Sequence, residues 1–431
     1  MNRSLRVAAM QLRAHDRSDF PNALEHIVEE TQRAAAQCDL LVLPEATFPA
    51  YVLGTADFDE AMVAGAIERL RDIAATNRTV IVAGAAARSD SGIRNGALVI
   101  DADGSHAGRA DKVFLWHFDR RWFAPGRHIA PIECAAGKLG VLVCADGRLP
   151  TISRVLVDRG ADLLVMPTAW VTSGRNPESL ENVQADLLAR VRAYENGVPF
   201  VAANKCGSEL GMVAYCGKSQ IVDARGEIVA IAGEHEPETI SAAIEVGTER
   251  APRAAPKRPP SRAPAYGGAM RVAISYDRLP DDVSERLTLL DDSVALSPHG
   301  VATAASTANE PPVPIVGDEL VLDPAGLVAY RRAGYALIGW KTQHGAPWLE
   351  RVARARALEL RLYVVVFDTS AQRAFAVDPD GTIVAGTFGD YRLASFLFDP
   401  RKAADTLVAP STDVVAGLEA VAEIAGDALR E

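Results

Sequence analysis

The sequence predicts an α/β (α+β) fold, mixed sheets covered by helices, laid down twice in one chain. Three observations carry this expectation. Apolar strands alternate with amphipathic helices through the first half, and an antiparallel portion interrupts the alternation between residues 79 and 104. Segments of the second half echo the first across a Pro- and Arg-rich stretch.

Leu5 to Leu12 reads as the first strand, and Asn22 to Gln37 has helical spacing through Leu24, Ile27, Val28, Thr31 and Ala35. Leu40 to Leu43 is an all-apolar strand ending in Pro44-Glu45. Ala61 to Thr76 is a second amphipathic helix, Thr79 to Ala85 and Asn95 to Asp101 are strands, and Asp101-Ala102-Asp103-Gly104 is a hairpin-type turn. Val141 to Val143, bounded by Gly140, is short and β-branched, as a buried strand is. After Gly147 and Pro150 the spacing of Ile152, Val155 and Leu156 reads as a helix. Cys144 therefore stands at a strand-to-helix elbow, where a side chain projects off the sheet edge and a helix N-terminus favours the thiolate. Alone, a cysteine in an apolar run is more often core packing. Its companions elsewhere in the chain change that reading.

Composition bounds the function. The 431 residues suggest two or three domains, and 48% hydrophobic with 23% charged residues is the make-up of a soluble protein with ample core. A formal net charge of −11 and a pI near 5.3 argue against nucleic acid or an anionic membrane as partner. There is no apolar run of membrane-spanning length and no signal-peptide pattern, so the expected location is the cytoplasm. Five cysteines, an odd number, make no disulfide framework, and Cys206 and Cys216 lack a second pair for zinc.

Glu45 ends an apolar strand, where α/β sheets place functional groups, and Lys112 enters the apolar segment Val113-Phe114-Leu115-Trp116. A lone glutamate is more often a solvated charge or a helix cap, and a lone lysine is nearly always on the surface. Together with Cys144 they suit one chemistry. A thiolate attacks a carbonyl carbon, a carboxylate moves protons, and a cation stabilises the developing oxyanion.

Leu43-Pro44-Glu45-Ala46, Asp111-Lys112-Val113-Phe114-Leu115 and Val143-Cys144-Ala145-Asp146-Gly147-Arg148-Leu149-Pro150, in this order, resemble the nitrilase or carbon–nitrogen hydrolase superfamily over residues 5 to 245. The resemblance implies a four-layer αββα sandwich hydrolysing a non-peptide C–N bond through a cysteine thioester. It also implies Glu45 as general base, Lys112 as oxyanion stabiliser, Cys144 as nucleophile and the Ala145 N–H as a further oxyanion donor. No metal or organic cofactor is implied. Many members carry a second glutamate before an aromatic-x-Pro-Gly turn. Here Trp122-Phe123-Ala124-Pro125-Gly126 has none before it, and Asp119 is the nearest acid for that role, with pairing to Arg120 or Arg121 on a loop as its alternative. The resemblance places His117, Phe118, Trp122, Trp170 and Val171 near the pocket, although each could equally be packing. Nitrile-cleaving members follow the cysteine with Trp-Glu, so Ala145-Asp146 favours a small amide or carbamoyl amide as substrate over a nitrile.

The segment 251–268 is a Pro- and Arg-rich linker between a catalytic domain, 1–250, and a second domain, 269–431. Ala353 to Glu359 echoes Ala189 to Glu195, and Val377 to Ala385 echoes Val222 to Ala230. Arg271-Val272-Ala273-Ile274 echoes Arg6-Val7-Ala8-Ala9. The second domain therefore reads as a shortened, degenerate αββα-like copy. Leu322 falls about where Cys144 should, and Ser297-Pro298-His299 replaces Leu43-Pro44-Glu45. Val414 to Leu429 reads as an amphipathic helix. The two copies are expected to form an intrachain pseudo-dimer, with further homo-oligomerisation open. Alternative functions are a noncatalytic binding or regulatory protein on the same scaffold, a nitrilase or a thiol acyltransferase.

Overall fold

A computed structural model describes residues 3–54, 59–176, 178–247, 262–263, 266–289, 294–303, 313–343 and 348–427. The chain divides into two compact units: 1–251 with 409–412 and 419–431, and 252–408 with 413–418. The tail expected to belong wholly to the second domain is thus shared between them. Most of the linker lies outside the described residues.

The first unit is built on Arg3–Arg13, whose uninterrupted burial from Val7 to Leu12 is that of a strand covered on both faces. It pairs in parallel with Leu40–Val42, which pairs in parallel with Val80–Ser89. Gly92–Ile100 and His106–Asp111 follow antiparallel, joined by the expected turn, in which the Gly104 N–H donates to the Asp101 carbonyl. Glu238–Val246 and the hairpin Lys205–Glu209 with Val213–Cys216 complete this eight-stranded sheet. A second sheet of six runs Ile228–Ile231, Gln220–Val222, Phe200–Ala203, Leu163–Pro167, Gly137–Val141, Ile132–Cys134.

Helix Phe20–Ala35 buries Phe20, Leu24, Ile27, Val28, Thr31 and Ala35, one stripe at helical spacing, and Pro21 opens its first turn. Helix Glu60–Asn77 is capped by the Asp59 carboxylate on the Met62 N–H and stops at Arg78, whose φ of +55° is left-handed. Both pack onto the first sheet through one core with Leu41, Ile81 and Ile100. Helices Pro150–Asp158 and Ala189–Asn196 pack together and against the second sheet.

One boundary differs from the sequence expectation in a way that matters for the site. The strand before Cys144 ends at Val141, not Val143. The Val143 N–H donates to the Asp146 carboxylate at 3.1 Å instead of to a neighbouring strand. The chain therefore leaves the sheet early and enters the tight turn Cys144–Arg148.

The second unit has a four-stranded sheet, Gly300–Thr303, Val294–Ser297, Met270–Ser275, Leu393–Phe398. Its five-stranded sheet is Ile315–Val316, Leu337–Thr342, Tyr363–Asp368, Arg373–Val377, Ile383–Gly386. Met270–Ser275 pairs in parallel with the next strand and antiparallel with the last, as Arg3–Arg13 does in the first unit. The register shift between Ala376 and Val377 has its counterpart between Ile221 and Val222. A buried arginine in each unit pairs with the glutamate three residues on, Arg192 with Glu195 at 2.8 Å and Arg356 with Glu359 at 2.6 Å. Each also donates Nε to a carbonyl three residues before a helix that opens on proline, Gly147 before Pro150 and Val321 before Pro324. Three residues before these carbonyls stand Cys144 in the first unit and Asp318 in the second. His299 lies exposed in a hairpin turn.

Candidate active site

The strand Leu40–Val42 delivers Glu45 through a turn held against Gly84. Thr47 and Phe48 donate their N–H groups to the Gly84 carbonyl, and a Cβ on Gly84 would lie 2.3 Å from the Pro44 oxygen. Only glycine permits this approach. The Glu45 side chain is fully buried. Its Oε1 accepts from Lys112 Nζ at 2.8 Å and from Asn95 Nδ2 at 2.6 Å, while Oε2 has no hydrogen-bond partner among the described residues.

Lys112 follows the strand His106–Asp111 and is braced from beneath by Gly126, whose N–H donates to the Lys112 carbonyl at 2.7 Å. Its ammonium also meets Asp119 Oδ2 at 2.7 Å. Burial alone would lower the lysine pKa. The charges of Asp119, Glu45 and Cys144 outweigh it and hold the pKa well above the ordinary value. Asp119 is fully buried. Besides Lys112 it accepts from the Trp116 N–H at 2.8 Å and from the Tyr51 hydroxyl at 2.5 Å. Burial, then the charges of Asp119 and Glu45, push the Tyr51 phenol well above its usual range, so it stays a donor.

Cys144 opens the turn at φ +46°, a left-handed conformation that costs a non-glycine residue on the order of 1 kcal/mol or more. Asp146 fixes that turn and the Lys112 segment together. One of its oxygens takes the Val113 and Phe114 N–H groups at 3.0 and 2.7 Å, and the other takes Val143. Burial pushes the Cys144 thiol up to about 12, with the charge of Glu45 adding to it and Lys112 and the Thr168 hydroxyl opposing. Burial likewise lifts Asp146 to about 7 against its three N–H donors.

Glu45, Lys112 and Asp119 thus form one hydrogen-bonded chain, and the charges of Glu45 and Lys112 act on Cys144. Ala145 is buried in the turn immediately after the thiol. Trp170 is buried, with its backbone N–H on Asn204 Oδ1 at 2.7 Å and its indole Nε1 without a partner among the described residues. His117, at φ +36°, packs edge-on to Phe118, which in turn meets the Tyr51 ring at 5.8 Å. Trp122 lies one ring further out, 5.6 Å from Phe118, and rests on the helix-covered core. Asp146 entered the sequence reading only as a signal of substrate class, and Tyr51 and Asn95 were not singled out. Nor was Arg148, whose guanidinium lies 4.2 Å over the Trp116 ring, with burial lowering its pKa to about 10. Asp146 carried a local signal, an acid two residues past the cysteine in a glycine turn. The others come from distant segments. Among the described residues no group of three or more metal-type ligands occurs, and no helix is long and apolar enough to cross a membrane.

Comparison with known proteins defines the class. The carbon–nitrogen hydrolase family model matches residues 6–254. A hydrolase of Pseudomonas protegens is 35% identical over 208 residues, 47% of this chain and 70% of its own. A probable nitrilase of Schizosaccharomyces pombe is 29% identical, covering 51% of this chain and 80% of its own. Among solved structures, a double mutant of the amidase from Nesterenkonia sp. AN1 in complex with acrylamide is 28% identical. It covers 56% of this chain and 90% of that one, with a TM-score of 0.50. The chain belongs to the carbon–nitrogen hydrolase family, whose amidase and nitrilase relatives act on C–N bonds other than peptide bonds.

Proposed function

We propose that the first unit hydrolyses a small amide, carbamoyl amides included, to an acid and ammonia or an amine through a thioester on Cys144. The observation that carries this is the half-engaged Glu45 carboxylate. One oxygen is pinned by Lys112 and Asn95, and the other is buried without a partner among the described residues, in a site whose thiol is pushed up to about 12. Cys144 Sγ attacks the carbonyl carbon as Glu45 takes the thiol proton. Lys112 and the Ala145 N–H hold the developing oxyanion. Collapse of this intermediate breaks the C–N bond, and the proton on Glu45 passes to the leaving nitrogen. Water, deprotonated by Glu45, then attacks the thioester and releases the acid, and the proton returns to the sulfur. Asp119 takes the place of the second glutamate by orienting Lys112. The amide preference rests on Ala145-Asp146 following the cysteine.

We assign the first unit a four-layer αββα sandwich and the second a degenerate copy of it. The repeated strand pairing and the two buried arginine–glutamate pairs support this reading, with Asp318 where a nucleophile would stand. Ammonia release from a panel of small amides and carbamoyl amides tests the reading. The wild-type chain should turn over at least one, and Glu45→Gln should lose that turnover by about 10²-fold or more. Equal rates for the two proteins would remove Glu45 as the base.

A further inference from the structure

Among the buried ion pairs that the mechanism above does not use is Lys205 with Glu209. Lys205 Nζ lies 2.7 Å from Glu209 Oε1, with the side chains 2% and 0% exposed. Gly207, at φ +75°, lies between them on the strand. Such a pair is weak evidence for stability, because taking two charges out of water offsets most of their attraction. Its contacts point elsewhere. Lys205 Nζ also donates to the Ala46 carbonyl at 3.1 Å. Glu209 accepts the Val52 N–H at 2.8 Å and, less closely, the Tyr51 N–H at 3.4 Å. All three bonds go to one loop. That loop carries Glu45 at its start and Tyr51, the donor to Asp119, near its end. It also contains Ala46 in the strained left-handed region, at φ +44°.

We infer that Lys205 and Glu209 are a positioning pair for the reaction proposed above. They clamp both ends of the 45–52 loop, so that Glu45 and, through Tyr51 and Asp119, Lys112 keep their places around Cys144. The inference rests on that reaction, and its test is separable from it.

The test compares the full wild-type chain with Lys205→Met/Glu209→Leu, which removes both charges together and leaves none uncompensated, and with Glu209→Gln, which keeps the shape but only one acceptor oxygen. Three quantities are measured: thermal midpoint, ammonia release from propionamide, and the pH profile of Cys144 alkylation by iodoacetamide, followed by peptide mapping. The double variant should melt close to wild type. Its kcat should fall at least about tenfold with KM within about threefold, and the midpoint of its alkylation profile should move. Glu209→Gln should change kcat and the profile in the same sense by less. A purely structural pair would shift only the melting temperature. A folded double variant with wild-type kcat and an unmoved profile overturns the inference. If the double variant does not fold, wild-type kcat and profile in Glu209→Gln do so. Should Glu45→Gln and Cys144→Ala both stay active, the reaction itself fails instead.

Discussion

At the scale of single residues, the site divides by how far apart its partners lie in sequence. Glu45, Lys112 and Cys144 were legible because each sits in a short segment of distinctive order. Tyr51 and Asn95 were not, since they act across 68 and 50 residues and nothing local marks them. Asp119 stands between these cases. The sequence offered it as nearest acid or as a loop ion pair, and only its burial against Lys112, Tyr51 and the Trp116 N–H gives it a partner in the site. Asp119→Asn keeps the shape and removes the charge that holds Lys112. It should lower kcat by about 10²-fold, the scale of general acid–base and electrostatic help, with a smaller effect on KM. Unchanged kcat and kcat/KM would make Asp119 a purely structural residue.

At the scale of elements, the chemistry depends on where strands stop. Apolar runs and helical spacing revealed the strands and helices from Leu5 to Asp101 and the helix after Pro150, while most strands beyond Val157 carried no such signal. The early end of the strand before Cys144 was hidden, because a side chain, Asp146, takes the N–H that a strand would use. Close approach was hidden too. Gly84 is an ordinary strand residue in sequence, yet a Cβ there would lie 2.5 Å from Glu45 Cα. Gly84→Ala should push the Glu45 turn out of place and lower kcat more than tenfold, since an error of about 1 Å in a catalytic group can cost 10²-fold. Gly65→Ala is the control. It lies exposed within helix Glu60–Asn77 with open space around it, and it should raise stability by up to about 1 kcal/mol with activity unchanged. Wild-type kcat in Gly84→Ala would detach this contact from catalysis.

At the scale of the whole molecule, burial of thiols predicts an alkaline limit. Cys144, Cys38 and Cys216 are pushed to about 12, and Cys134 and Cys206 to about 11, in each case chiefly by burial. Above the ordinary value near 9 the unfolded chain releases protons that the folded chain retains. Stability is therefore fully present below pH 9 and falls as pH rises toward 11 to 12, by up to about 1.4 kcal/mol per pH unit for each thiol. Melting temperatures should drop steadily from pH 9 to 10.5, with a shallower slope in Cys38→Ala; a flat curve would contradict the burial. The repeated pairing pattern makes a second prediction. If the first unit depends on the second for its stability, residues 1–250 expressed alone should dimerise or aggregate, as proteins with exposed apolar patches do. His299→Ala in the full chain should leave activity untouched. A stable, fully active monomer of 1–250 would refute that dependence.

The central claim, a thioester on Cys144, is tested most directly by rapid acid quench during turnover of an amide substrate, followed by peptide mass mapping. The account predicts an acyl adduct on the Cys144 peptide, formed with a burst of ammonia equal to the enzyme present, and neither adduct nor ammonia with Cys144→Ala. Undiminished ammonia release by Cys144→Ala, or the acyl group on any other residue, would contradict it.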